Sequence, residues 1–89
     1  MGKHRPKFTR DEILELAPMA IFYDDLDGAI IGVAERINLG PVVAYSIDKI
    51  IEILINDNNM SYEDVMEYFD YNIIGGWIGE ETPVFIRTT

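Results

Sequence analysis

The acidic segment YDDLDG, residues 23–28, is the part of the chain that most resembles a metal site. A calcium-binding EF-hand loop takes oxygen ligands from alternating positions around a glycine, and a bidentate glutamate from its twelfth position. With Gly28 as the sixth residue of such a loop, Asp25 and Asp27 fit the third and fifth positions, but a tyrosine stands first and an alanine twelfth. We therefore predict a turn with solvated carboxylates and no bound metal.

Side chains that could catalyse a reaction are scarce. The single histidine, His4, lies close to the N-terminus, and the chain has no cysteine. Ser46 and Ser61 both fit the N-caps of helices, a role that explains them without catalysis. No glycine-rich stretch of the sequence has the spacing of a phosphate-binding loop. We predict no catalytic residue, no cofactor and no enzymatic activity.

Charge is distributed unevenly along the chain. Sixteen acidic and seven basic residues give a net charge of −9, and four of the basic residues precede the first acidic one. This asymmetry predicts a basic, flexible arm over residues 1–8 and a single acidic domain over residues 9–89. The acidic body would repel phosphates, so we expect no direct nucleic-acid binding. No apolar stretch is long enough to cross a bilayer, so we expect no membrane association and a cytoplasmic location.

The spacing of apolar residues and turn signals predicts an α+β fold. Isoleucine and valine in AIIGVAERI and VVAYS favour strands, whereas apolar residues recur at helical spacing after Ser46. The predicted elements are a short N-terminal helix (10–17), a helical hairpin (47–56 and 61–74) and a small antiparallel sheet, made of a hairpin (29–37 and 42–46) and a C-terminal strand (83–87). A helix through residues 29–37 is the competing prediction, because alanine, glutamate and arginine tolerate helices.

Local signals also predict where the helices begin and which faces they bury. Thr9 and Glu12 form a capping-box pattern, and Ser46 and Ser61 precede the other two helices. The residues expected to face the core are Ile13, Leu16 and Ala17 in the first helix, and Tyr62, Val65, Met66, Phe69 and Ile73 in the last.

The last helix and the loop after it carry the residues most suited to an interface. Acidic side chains recur along the helix, and the single tryptophan lies in a glycine-flanked loop that ends in two glutamates. Aromatic residues presented on loops often anchor protein interfaces. The candidate interaction surface therefore consists of Trp77, Tyr71, Glu80, Glu81, Glu63, Glu67 and Asp70. The alternatives are a face that only confers solubility and a tryptophan that seals the core.

Two motifs carry a resemblance to a known group of proteins. EYFDYNI (67–73) and WIGEETP (77–83), together with LDGAIIGVAER and VVAYSIDKIIEIL before them, resemble small hypothetical proteins of tailed bacteriophages over roughly residues 22–87. The group has no established activity, so the resemblance assigns no catalytic or binding residue. It implies a small protein made in the cytoplasm of an infected bacterium, where such proteins often act by binding a host or phage protein.

We therefore expect a non-enzymatic protein–protein interaction module that acts on a host or phage protein and forms a homodimer. A second subunit would add buried area that 89 residues supply poorly. One alternative is an acidic inhibitor that mimics nucleic acid and binds a host DNA-binding enzyme. The other is a small metal-binding or enzymatic domain whose site lies between subunits.

Overall fold

A computed structural model describes residues 7–70 and 79–87 of the chain. The elements follow the order helix, two strands, two helices and a last strand, with a single 3₁₀ turn at Asp27–Ala29 before the first strand. Their bounds are α1 Arg10–Leu16, β1 Ile30–Arg36, β2 Leu39–Ser46, α2 Ile47–Asn58, α3 Tyr62–Phe69 and β3 Val84–Ile86. The predicted α+β class is confirmed.

The helices α1, α2 and α3 each begin at the predicted cap. The Thr9 hydroxyl accepts a hydrogen bond from the Glu12 amide, and the Glu12 carboxylate accepts one from the Thr9 amide in return. The Ser46 and Ser61 hydroxyls each accept a hydrogen bond from the amide three residues on. These bonds satisfy amides that have no partner within a helix, so the starts are fixed by neighbours in sequence.

The first two strands form the predicted antiparallel hairpin, with Val33 opposite Val43. Residues 29–37 are therefore a strand over most of their length, and the competing helix prediction is wrong. The connection is tighter than predicted, because Asn38 adopts a left-handed φ of 65° and β2 begins at Leu39 instead of residue 42. Asparagine tolerates this conformation better than most residues, so it can close a two-residue turn.

The direction of the last strand differs from the prediction. β3 pairs with β2 in parallel, with Phe85 beside Tyr45, so the sheet is mixed and not wholly antiparallel. The cause lies in residues 79–82, which meet the hairpin end of the sheet: the Glu80 carbonyl accepts a hydrogen bond from Arg36. Because the chain enters β3 from the end at which β2 starts, the two strands run in the same direction.

The core lies between the sheet and the helices. Its largest fully buried side chains include Tyr45, Phe69 and Ile50, which come from β2, α3 and α2 respectively. Two predicted core residues are exposed instead: Leu16 retains 63% of its accessible surface and Tyr62 retains 62%. Leu16 is the last residue of α1 and Tyr62 is the first residue of α3, so each lies at a helix end, where the core covers the helix less.

Only parts of the predicted N-terminal arm and of the predicted last helix lie within the described residues. Phe8, the last residue of the predicted arm, packs against the core, while residues 1–6 lie outside the described residues. The last helix was predicted to reach residue 74, and residues 71–78 also lie outside the described residues. The flexible arm and the end of that helix therefore remain predictions.

Candidate functional site

The YDDLDG segment forms a turn held by an arginine. Asp25 adopts a left-handed φ of 66°, which reverses the chain, and Asp24 points into solvent with its side chain 97% exposed. Asp27 differs from the solvated carboxylate that we predicted, because Arg10 contacts it through two nitrogens. The Arg10 Nε lies 2.9 Å from Asp27 Oδ2, and the Arg10 Nη2 lies 2.9 Å from Oδ1.

This two-pronged ion pair ties α1 to the turn that precedes β1. Arg10 also lies over the Phe22 ring, with its guanidinium carbon 4.8 Å from the ring centroid. The hydrogen bonds to Asp27 raise the pKa of Arg10, so the guanidinium stays charged. A carboxylate that is already bonded to a cation is a poor metal ligand, and no group of three or more histidine or acidic side chains within residues 7–70 and 79–87 could hold a metal ion.

Aromatic side chains connect this turn to the sheet and to α3. The Tyr45 ring lies 5.7 Å from that of Tyr23 and 5.9 Å from that of Phe85, and Phe69 completes the cluster at 6.1 Å from Phe85. The Tyr45 hydroxyl accepts a hydrogen bond of 2.9 Å from the Tyr23 amide. Burial raises the pKa of Tyr45 to about 12, so this hydroxyl is neutral at physiological pH. The cluster forms part of the hydrophobic core.

Helix α3 separates apolar and acidic side chains cleanly. Val65 and Phe69 are buried, while Glu63, Glu67 and Asp70 are all exposed. The three acids are spaced i, i+4 and i+7, so they form one stripe on the side of the helix opposite the core. We call the stripe, together with the exposed Asp64 near its start, the acidic α3 surface.

The predicted interaction residues are only partly brought together. Glu63, Glu67 and Asp70 share the acidic α3 surface as expected. Glu80 and Glu81 lie at the hairpin end of the sheet, where both contact Arg36. Trp77 and Tyr71 lie outside the described residues, so their assignment to the surface remains a prediction.

Arg36 holds the segment before β3 against the β1–β2 hairpin. Its Nε donates to the Gly40 carbonyl and its Nη1 donates to the Glu80 carbonyl, each at 2.7 Å. Its Nη2 lies 3.7 Å from Glu81 Oε1, which is an ion pair but too long for a hydrogen bond. Glu81 therefore serves the fold and contributes less free charge to an interface than we predicted.

Sequence patterns missed a groove between the first helix and the first strand. This α1/β1 groove has a volume of about 320 Å³ and is lined by Phe8, Ile13, Leu16 and Val33, with Glu12, Glu15 and Gly32 completing its walls. The available signal was the isolated Leu16 at the end of α1, which we assigned to the core. Distinguishing a core residue from a groove residue there requires knowing where β1 passes relative to α1.

A scan against protein-family models finds no match to the chain, and neither do searches of curated proteins and of solved structures. None of the helices within the described residues has the length and apolar character needed to cross a membrane. Function is therefore inferred from the surfaces of the chain itself.

Proposed function

We propose that the protein is a non-enzymatic binding module that engages a basic protein partner through the acidic α3 surface. The observation that carries this proposal is the stripe of Glu63, Glu67 and Asp70, opposite the buried Val65 and Phe69. Burial of the apolar residues fixes the rotation of the helix, so the carboxylates are presented together at a defined position.

The stripe lowers the stability of the helix that carries it. Glu63 and Glu67 are four residues apart, and like charges at this spacing destabilise a helix by about 0.2–0.5 kcal/mol. The sequence has no lysine or arginine from residue 50 to residue 86, so α3 contains no cation of its own. Glu67 and Asp70 also lie too far from the helix N-terminus to gain from its dipole. A partner that supplies cations would relieve this repulsion, which favours binding to a basic surface.

Tyr62 favours a protein as that partner. Its side chain is 62% exposed at the first position of α3, on the flank between the stripe and the core-facing side of the helix. Tyrosine is enriched among the residues that dominate the energy of protein interfaces, because it offers a large apolar ring and one hydrogen-bonding group. The same carboxylates would repel a phosphate backbone, so direct binding to nucleic acid is disfavoured.

The resemblance to phage proteins supports a proposal for where the protein acts and for its class of partner. It supports a role in the cytoplasm of an infected bacterium, with a host or phage protein as the partner. The proposed module forms a homodimer there, with Trp77 and Tyr71 as further interface candidates. Neither feature is needed for the acidic α3 surface to bind, so each can be tested separately by light scattering and by substitution.

The test is affinity capture from a bacterial lysate with the full chain as bait. One variant carries Glu63→Lys, Glu67→Lys and Asp70→Lys, which reverses the stripe. The matched control carries Asp24→Lys, Glu35→Lys and Asp57→Lys, which changes the net charge equally at exposed positions on other elements. We expect the wild-type chain and the control to retain the same protein, and the stripe variant to lose it.

Salt dependence and competition identify the class of partner. Binding should weaken as ionic strength rises, because interactions between exposed charges are screened beyond about 8 Å at physiological salt. If duplex DNA displaces the captured protein, the alternative of a nucleic-acid mimic is favoured over a general basic partner. Equal capture by the stripe variant and the wild-type chain would rule out the acidic α3 surface as the binding site.

A further inference from the structure

We infer that the α1/β1 groove is a second binding site, which takes an extended peptide that carries an apolar side chain flanked by lysines or arginines. The groove involves other elements than the acidic α3 surface, and the inference does not depend on the function proposed for that surface. Three properties of the groove support it: an apolar floor, an accessible strand edge and an acidic rim.

The floor of the groove continues the hydrophobic core to the protein surface. Ile13 is buried, while Phe8 and Val33 are partly buried and pack against the core. Leu16 leaves the core and forms one wall of the groove with 63% of its surface still exposed. An apolar side chain that entered the groove would cover Leu16 and remove this exposed surface from water, which is favourable.

The strand wall of the groove offers backbone groups. β1 is an edge strand among the described residues, because β2 is its only partner in the three-stranded sheet. Gly32 lines the groove at a φ of 149°, and a Cβ at this position would meet nothing within 4 Å. The missing side chain leaves the backbone of the edge open to approach. A helix beside an exposed sheet edge is the arrangement in which several peptide-binding domains add a ligand strand.

The rim of the groove selects the charge of the peptide. Glu12 and Glu15 both line it, and Glu35 is exposed farther along β1. Glu12 already accepts a hydrogen bond from the Thr9 amide, so Glu15 is the more available partner for a cation. Lys7 precedes Phe8 in the sequence, and the acids outnumber it. This excess favours a basic peptide over a neutral or acidic one, by the same complementarity that orients protein interfaces.

The experiment uses the full-length chain and three fluorescently labelled octapeptides. One peptide alternates lysine with leucine, one alternates glutamate with leucine, and one alternates lysine with serine. Fluorescence anisotropy should show binding of the first in the micromolar range and much weaker binding of the other two. Amide NMR shifts should move at Gly32, Val33 and Phe8, and remain unchanged along α3.

Two matched variants separate groove binding from general attraction to an acidic protein. Glu15→Lys with Leu16→Lys changes the groove, and Tyr62→Lys with Glu63→Lys makes the same change in net charge on α3. Leu16 and Tyr62 are 63% and 62% exposed, so the two pairs disturb similarly exposed helix ends. We expect about a tenfold loss of affinity for the groove variant, equivalent to roughly 1.4 kcal/mol, and no change for the α3 variant.

Several results would overturn the inference. They are no binding of the lysine–leucine peptide, equal loss of affinity in both variants, or NMR shifts confined to α3. A dimer that dissociates in the groove variant would identify a second copy as the occupant. Tighter peptide binding after Lys3→Ser and Arg5→Ser would instead identify the N-terminal residues of the chain itself. The α3 variant also keeps the two proposals distinct, because it should lose the captured protein while it retains the peptide.

Discussion

Replacing Tyr45 by phenylalanine should destabilise the fold by a defined amount. The ring is fully buried against Tyr23 and Phe85, and phenylalanine keeps that packing. What is lost is the hydroxyl that accepts the 2.9 Å hydrogen bond from the Tyr23 amide. An amide left without a partner in a partly buried setting costs about 1–2 kcal/mol. For a domain of this size, that corresponds to a drop in Tm of roughly 5–15 °C.

The same substitution should change how stability depends on pH. In the unfolded chain Tyr45 loses its proton near the ordinary tyrosine pKa of 10.0, whereas burial raises the folded pKa to about 12. The raised pKa means that the stability contributed by the neutral hydroxyl is complete below pH 10 and is lost between pH 10 and about 12. The loss amounts to roughly 2–3 kcal/mol. Because phenylalanine does not ionise, the variant should equal or exceed the wild-type protein in stability near pH 12.

Urea unfolding at pH 7, 9, 10, 11 and 11.5 measures both effects. Tyr23→Phe is the matched control, because the Tyr23 hydroxyl is buried without a hydrogen-bond partner among the described residues, and its backbone amide is unchanged by the substitution. The control should be neutral or slightly stabilising at pH 7. A wild-type advantage over Tyr45→Phe that is absent at pH 7, or that stays constant from pH 9 to pH 11.5, would refute the reasoning.

Three other perturbations test the local contacts. Asp27→Asn should lower the free energy of unfolding by about 1 kcal/mol, because it removes the two-pronged bond to the partly exposed Arg10. The control Asp24→Asn should change it by less than about 0.5 kcal/mol. Equal effects of the two substitutions in thermal unfolding would contradict this. Ser46→Ala should lower the free energy of unfolding by about 1–2 kcal/mol, and Ser61→Ala should lower it by less, because Ser46 is buried and Ser61 is exposed. Denaturant titration of the two variants measures the difference. Glu67→Gln should raise stability by about 0.2–0.5 kcal/mol and weaken capture of the partner. Unchanged capture would show that the charge of Glu67 does not contribute to binding.

Features set by neighbours in sequence were predictable. The caps at Thr9, Ser46 and Ser61 depend on a side chain and an amide three residues apart, and all three form as expected. The left-handed C-cap of α2 at Asn59 has the same local origin, because asparagine tolerates that conformation. The acidic stripe on α3 was predictable for the same reason, since helical spacing alone places Glu63 and Glu67 on one face.

Features set by contacts between distant segments were not predictable in the same way. The parallel direction of β3 depends on Arg36 meeting the Glu80 carbonyl, 44 residues farther along the chain. The role of Asp27 depends on Arg10, 17 residues earlier, which we had counted with the basic N-terminus. A hydrophobic pattern also cannot say where a helix leaves the core, so Leu16 and Tyr62 were both assigned to the wrong side.

Two arginines stabilise the fold at places away from the acidic α3 surface. Arg10 is bonded to Asp27 at the turn before β1, and Arg36 is bonded to carbonyls at the hairpin end of the sheet. Both cations thus connect elements, and neither contacts α3 in these bonds. The buried face of α3 is entirely apolar, so the carboxylates of this helix do not take part in the packing of the core. Only three of the sixteen acidic residues of the chain lie on this stripe, but their alignment at a fixed position, in a helix without lysine or arginine, favours recognition of a basic surface.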